Sequence, residues 1–120
     1  MLDCADLRRA ADFWTAALGY ARAGEPDGPY QLLLPADGNG IELVLQRVAE
    51  RKTTKNRVHL DLRTKDLKGE VERLLALGAT RLSAGPVIEA GWQWHVLADP
   101  DGNELCVLEP PSAYWKKISA

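Results

Sequence analysis

Residues 6–19 read Asp6-Leu-Arg-Arg-Ala-Ala-Asp-Phe-Trp-Thr-Ala-Ala-Leu-Gly19. Asp6 has the side chain of an N-cap. Leu7, Ala10, Ala11, Trp14, Ala17 and Leu18 fall on one face at helical spacing, and Gly19 supplies the left-handed position that ends a helix. The same grammar returns half a chain later. Asp66-Leu67 opens a second helix, Leu67, Val71, Leu74 and Leu75 form its apolar stripe, and Ala76-Leu77-Gly78 repeats Ala17-Leu18-Gly19. Asp37-Gly38-Asn39 likewise returns as Asp101-Gly102-Asn103. The shared order of these matches implies a duplicated unit of about sixty residues.

Strands fill the rest of each unit. In the first, a stub at Leu2–Cys4 precedes the helix, and strands are predicted near Tyr20–Ala23, Tyr30–Leu34 and Ile41–Arg47. In the last of these, Ile41, Leu43 and Leu45 alternate with Glu42, Val44 and Gln46. Asp37-Gly38-Asn39-Gly40 is a turn between two strands. The polar stretch Glu50–Asn56 links the halves. In the second, Arg57–Arg63 alternates Val58, Leu60 and Leu62 against Arg57, His59 and Asp61. Strands are predicted near Thr80–Leu82, Trp92–Ala98 and Glu104–Glu109, with a tight turn at Asp99-Pro100-Asp101-Gly102. Each half therefore reads β-α-β-β-β: module one over about 1–48, module two over about 56–110 with a tail to 120. In that tail, Tyr114 and Trp115 are the residues expected to pack.

With 120 residues, 46% of them hydrophobic and 27% charged, the composition is that of one globular domain, and the β-α-β-β-β order of each half makes its class α+β. A net charge of −2 argues against nucleic acid, which a basic surface binds by displacing counterions. No apolar run approaches the ~18 residues of a membrane span, and the first residues have neither the basic nor the apolar region of a signal peptide. Cys4 and Cys106 make no disulfide framework. The expectation is a cytoplasmic protein.

The order of elements, together with Asp6-Leu-Arg-Arg-Ala-Ala-Asp-Phe-Trp14, Ala17-Leu-Gly19, His59-Leu-Asp-Leu62 and Asp99-Pro-Asp-Gly-Asn-Glu104, resembles the glyoxalase/bleomycin-resistance/extradiol-dioxygenase (vicinal oxygen chelate) superfamily, over nearly the whole chain to about Pro110. The resemblance implies two tandem βαβββ modules forming a curved mixed sheet around a small-molecule cavity, with the helices outside. It is specific for fold and not for reaction, because the superfamily spans lyases, isomerases, dioxygenases, epimerases and antibiotic-sequestering proteins. In metal-using relatives each module gives one ligand from its first strand and one from its last. By that pattern His59 lies on the first strand of module two and Glu42 on the last strand of module one. Cys106 stands where a glutamate is usual, and the mate of His59 falls at Met1 or before it. The internal repeat agrees, since Glu42 follows Asp37 by the same interval as Cys106 follows Asp101.

Strand alternation puts Leu43, Leu60 and Leu105 on the helix side and Glu42, His59, Glu104 and Cys106 on the other. If Ala98 pairs with Asn103, His95 lies opposite Cys106 and both histidines line one cavity, with Asp61 as a further neighbour. His59, Glu42 and either Cys106 or His95 would then hold one divalent ion (zinc, nickel, cobalt, iron or manganese) with a position open to water or substrate. His59 has a plain alternative as a hydrogen-bond partner of Asp61, Arg57 or water. His95 is alternatively a general acid or base, and Cys106 a small buried apolar residue. Trp14 belongs to the core, and Trp92 and Trp94 share a strand face opposite in parity to His95.

Two functions remain open at this point. One is a lyase or isomerase acting on a small carbonyl or oxygenated substrate, with Glu42, His59 and His95 as catalytic groups. The other is a non-catalytic protein that sequesters a ligand, in the manner of bleomycin-resistance proteins. A homodimer is expected for either, because each half leaves one sheet face needing cover.

Overall fold

In the computed structural model, which describes residues 1–118, the Asp6 carboxylate accepts a hydrogen bond from Arg9 N at 3.1 Å and starts helix α1 (Leu7–Leu18). Gly19 ends the helix at φ 69°, a conformation that costs a residue without Cβ little. The helix buries Ala10, Ala11, Phe13 and Trp14. These cover one face of a sheet whose strands are β1 (Leu2–Cys4), β2 (Tyr20–Arg22), β3 (Tyr30–Pro35) and β4 (Leu43–Arg47), in the order β1-β4-β3-β2. β1 runs parallel to β4 and the other pairs are antiparallel. Leu33 and Leu45 are fully buried, and buried Gln31 satisfies its amide through Gly24 O and Leu32 O.

This first unit comprises Met1–Thr54 and also Asp99–Asn103. Those five residues fold around one carboxylate. Asp99 Oδ1 accepts from Asp101 N and Asn103 N, and its Oδ2 accepts from Asn103 Nδ2 and Trp14 Nε1, all at 2.8–3.0 Å. Burial pushes the Asp99 carboxyl above its ordinary pKa, and these hydrogen bonds pull the other way. Asp101 pairs with Arg9 at 2.7 Å and accepts from Ala5 N. The turn is thus tied to α1 and the residues before it through Ala5, Arg9 and Trp14.

The second unit comprises Lys55–Ala98 and the chain from Glu104 onward. Its elements are β5 (Leu60–Arg63), α2 (Leu67–Ala76), β6 (Thr80–Arg81), β7 (Val87–Glu89), β8 (Trp92–Ala98), β9 (Glu104–Glu109) and α3 (Ser112–Ile118). The sheet runs β5-β9-β8-β6, with β7 also paired to β8. β5 is parallel to β9 and the rest are antiparallel. Asp66 caps α2 through Gly69 N, and Leu67, Val71 and Leu74 bury against Leu97, Leu105 and Val107.

The α+β class and the β-α-β-β-β order are as expected. β7 is an addition. Ala90 at φ 52° and Gly91 at φ 83° form a two-residue turn that folds Val87–Glu89 back on β8. Two strands start later than expected: Ile41 and Val58 lie outside β4 and β5 and are 83% and 82% exposed.

One register expectation is corrected. Ala98 pairs with Glu104, not Asn103, so His95 faces Val107 and Cys106 faces Val96. Asp99 is the cause. Its N donates to Asn103 O, Gly102 N returns to Asp99 O, and Gly102 sits at φ 86°, so the chain closes one residue later than a four-residue turn. A one-residue shift moves every side chain to the other face.

Candidate metal centre in the second unit

The register of β5 on β9 sets Asp61 beside Cys106 and Leu60 beside Leu105. Partners share a face, and faces alternate along a strand. One face therefore carries Leu62, Val107 and His95, and α2 covers it. The other carries Asp61, Cys106 and Val96, flanked by Arg63, Leu108 and Trp94 on one side and by His59 and Glu104 on the other.

His59 stands just before β5, where the chain bends. Asn56 holds that bend, with its N donating to Glu104 Oε2 and its Nδ2 to Val58 O. From there His59 Nδ1 reaches 3.4 Å from Asp61 Oδ1 and 3.6 Å from Cys106 Sγ. Ligand atoms of the three residues all lie within 4.8 Å of one another, so small side-chain adjustments bring all three within reach of one ion. The His59 and Asp61 side chains are each 43% exposed, while Cys106 is buried. Burial pushes the Cys106 thiol above its ordinary pKa, Asp61 and Glu104 add to this, and Lys55 opposes it.

The geometry separates two chemistries. A Cys-His-Asp relay needs the thiol on one imidazole nitrogen and the carboxylate on the other. Here both approach Nδ1. A nucleophilic cysteine also needs a lowered pKa, whereas this one is raised. Convergence of three donors on one point is instead what a cation requires.

The other residues singled out by sequence sit elsewhere. His95 is buried on the α2 side, with Nδ1 3.4 Å from Ser83 Oγ, so the two histidines lie on opposite faces of one sheet. Burial first and Arg81 second push its pKa down. It lines a cleft of about 410 Å³ with Arg81, Gln93, Glu109, Lys68 and Glu72. Glu42 belongs to the first unit, immediately before β4, and is exposed. The sequence reading places Asp61 only as a neighbour of the site. Its signal is nonetheless present there, because His59 and Asp61 two apart on an alternating strand share a face.

A model of the glyoxalase-like domain matches residues 1–108. The chain belongs to that family. Solved structures agree on the fold. A fosfomycin resistance protein, FosX, from Listeria monocytogenes superposes with a TM-score of 0.73 at 14% identity, over 98% of this chain and 92% of that one. A glyoxalase/bleomycin resistance protein/dioxygenase from Nocardioides gives 0.70 at 19% identity, over 92% and 80%. A glyoxalase/bleomycin resistance protein from Albidiferax ferrireducens gives 0.65 at 20%, over 92% and 95%. No curated protein matches the chain. Membership places this glyoxalase-like protein in a superfamily that binds small molecules and often uses a divalent metal. Among its described residues no helix is long and apolar enough to cross a membrane.

The donor set fits such a metal. Bonds of about 2.3 Å to sulfur and about 2.0–2.1 Å to nitrogen or oxygen, at tetrahedral angles, set donor atoms about 3.3–3.6 Å apart. The two separations from His59 Nδ1, 3.4 and 3.6 Å, are of that size. One thiolate, one imidazole and one carboxylate suit zinc or cobalt. The thiol proton must leave as the ion enters.

Proposed function

We propose that this glyoxalase-like protein is a metal-assisted lyase or isomerase for a small oxygenated or carbonyl substrate, with His59, Asp61 and Cys106 as the protein ligands. The observation that carries this reading is the approach of a thiol and a carboxylate to the same imidazole nitrogen. When bound, a divalent ion polarises a carbonyl or enediolate oxygen and acidifies water. The chain's own groups supply the rest. Three ligands leave a coordination position for substrate. The exposed carboxylate and imidazole edges face solvent, through which substrate enters. Glu104, two residues from Cys106 on the same face and acting electrostatically on its thiol, is a further carboxylate for moving a proton, and Asn56 N holds one of its oxygens. His95, on the opposite face, and Glu42, in the first unit, are assigned roles only by the variants below.

The experiment is elemental analysis of untagged protein after dialysis against zinc, nickel, cobalt, iron or manganese. The expected result is one ion per chain, lost in His59→Ala and in Cys106→Ala and retained in His95→Gln. Retention in Glu42→Ala as well would confine the ligand set to the second unit. No ion under any loading would discard the metal reading in favour of the second one, a ligand-sequestering protein. The half-buried Trp92, Trp94 and Tyr114 favour that second reading, which requires tryptophan quenching by ligand without metal. A homodimer is proposed for both, and sedimentation as a monomer overturns it.

A further inference from the structure

Beyond the three ligands, the same sheet face continues toward α3 in an ordered way. Arg63 follows Asp61 by two residues on β5 and pairs with Leu108, which pairs with Trp94. The Cα of Arg63 therefore stands about 7 Å along the strand from that of Asp61, roughly the length of one aromatic ring with its substituent. Leu108 and Trp94 are half-buried and apolar, and lie in the same cross-strand row. The Arg63 guanidinium carbon lies 5.6 Å from the centre of the Tyr114 ring. Tyr114 is itself fixed edge-on against Trp92, with ring centres 5.2 Å apart. Stacking on an aromatic face orders a guanidinium while leaving its N–H edge free for a carboxylate fork. Among the described residues no carboxylate pairs with Arg63. Tyr114 lies in α3, beyond residue 108 where the family match ends.

We propose that this face selects an organic anion with an oxygen donor at one end, an apolar, preferably aromatic body, and an anionic group at the far end. The oxygen goes to the ligand triad, the body lies on Leu108 and Trp94, and the anion is held by Arg63 on its Tyr114 support. This rests on the metal reading above and extends it to substrate class. Arg63 is a binding residue and Tyr114 a positioning residue. The C-terminal helix contributes by bringing an aromatic ring under an arginine that the sheet alone would leave waving in solvent.

The test uses the full chain loaded with cobalt, whose absorption reports ligand entry. The probes are benzohydroxamate and 4-carboxybenzohydroxamate, which share a chelating head and differ by one anionic group. A charge-assisted fork of this kind is expected to make the carboxylated probe about tenfold tighter. In Arg63→Gln that preference falls to about one while cobalt loading stays as in the wild type, and in Tyr114→Ala it falls part of the way. Tryptophan fluorescence follows both probes independently. Equal affinity of the two probes in the wild type, or a preference that survives Arg63→Gln, overturns the proposal while leaving the metal reading intact. Absence of any cobalt spectrum removes the metal reading, and the proposal with it.

Discussion

In the first unit Leu2 pairs with Leu45 where β1 lies parallel to β4; in the second Leu60 pairs with Leu105 where β5 lies parallel to β9. One residue on, Asp3 pairs with Gln46 and Asp61 with Cys106. One residue before, Met1 stands where His59 stands. The two units share a backbone plan, a helix cap and a parallel strand pair, and they differ in side chains at matching positions. Methionine, aspartate and glutamine make at best a weak site for a divalent transition metal, since the amide has no anionic form and the thioether is a weak donor. Histidine, aspartate and cysteine can. The fold supplies positions, and the residue types at those positions decide the chemistry.

The comparison breaks most directly by exchanging equivalents. The largest expected effect is on metal content: Cys106→Gln, which gives the second unit the first unit's residue, should remove the bound ion altogether. Asp3→Ala, at the position matching Asp61, should leave one ion per chain. Metal analysis of the two variants side by side checks both. Loss of the ion in Asp3→Ala would mean that the shared plan misleads about where the donors are.

The same comparison shows where counting along the sequence fails. Matching Asp37-Gly38-Asn39 to Asp101-Gly102-Asn103 makes Glu42 the counterpart of Cys106, but the strand register makes it Gln46. The first hairpin spends residues 36–42 between β3 and β4, whereas the second spends only 99–103 between β8 and β9. Caps, the order of elements along the chain and the α+β class were legible because each rests on local chemistry: an aspartate at each N-cap, Gly19 at a C-cap, period-two alternation. Register was not, because it depends on what the Asp99 carboxylate grips within its turn. β7 was hidden for a related reason, since its hairpin requires Ala90 at positive φ, which no propensity suggests. The face carrying His59, Cys106 and Glu104 was legible from alternation alone. His95 was misplaced by the single slipped residue.

A middle-sized effect concerns the helices. Trp14 and Leu74 each lie eight residues after their cap aspartate, and both are buried. They differ in that Trp14 carries an N–H, which Asp99 accepts at 3.0 Å. Trp14→Phe keeps most of the apolar area and strips one donor from a buried carboxylate, so it should cost about 1–3 kcal/mol. Urea unfolding measures this. A loss well under about 1 kcal/mol would show that the Asp99 turn is held by its own amides, and that the tryptophan serves only as volume, as Leu74 does.

The smallest effect tests the assignment of His95 to the covered face. Its folded pKa lies below the ordinary 6.5, because burial and the neighbouring Arg81 both disfavour the imidazolium. The unfolded chain therefore binds this proton at higher pH than the folded one does. The stability contribution is fully present above about pH 6.5 and is lost as pH falls through that value toward the depressed folded pKa. His95→Gln should flatten the slope of unfolding free energy against pH below 6.5 relative to wild type, without altering metal content. Urea unfolding at stepped pH reads the slope. An unchanged slope would mean that His95 does not sit neutral beneath α2, whereas loss of the ion would place it with His59 on the ligand face and undo the register on which the contrast between the two faces depends.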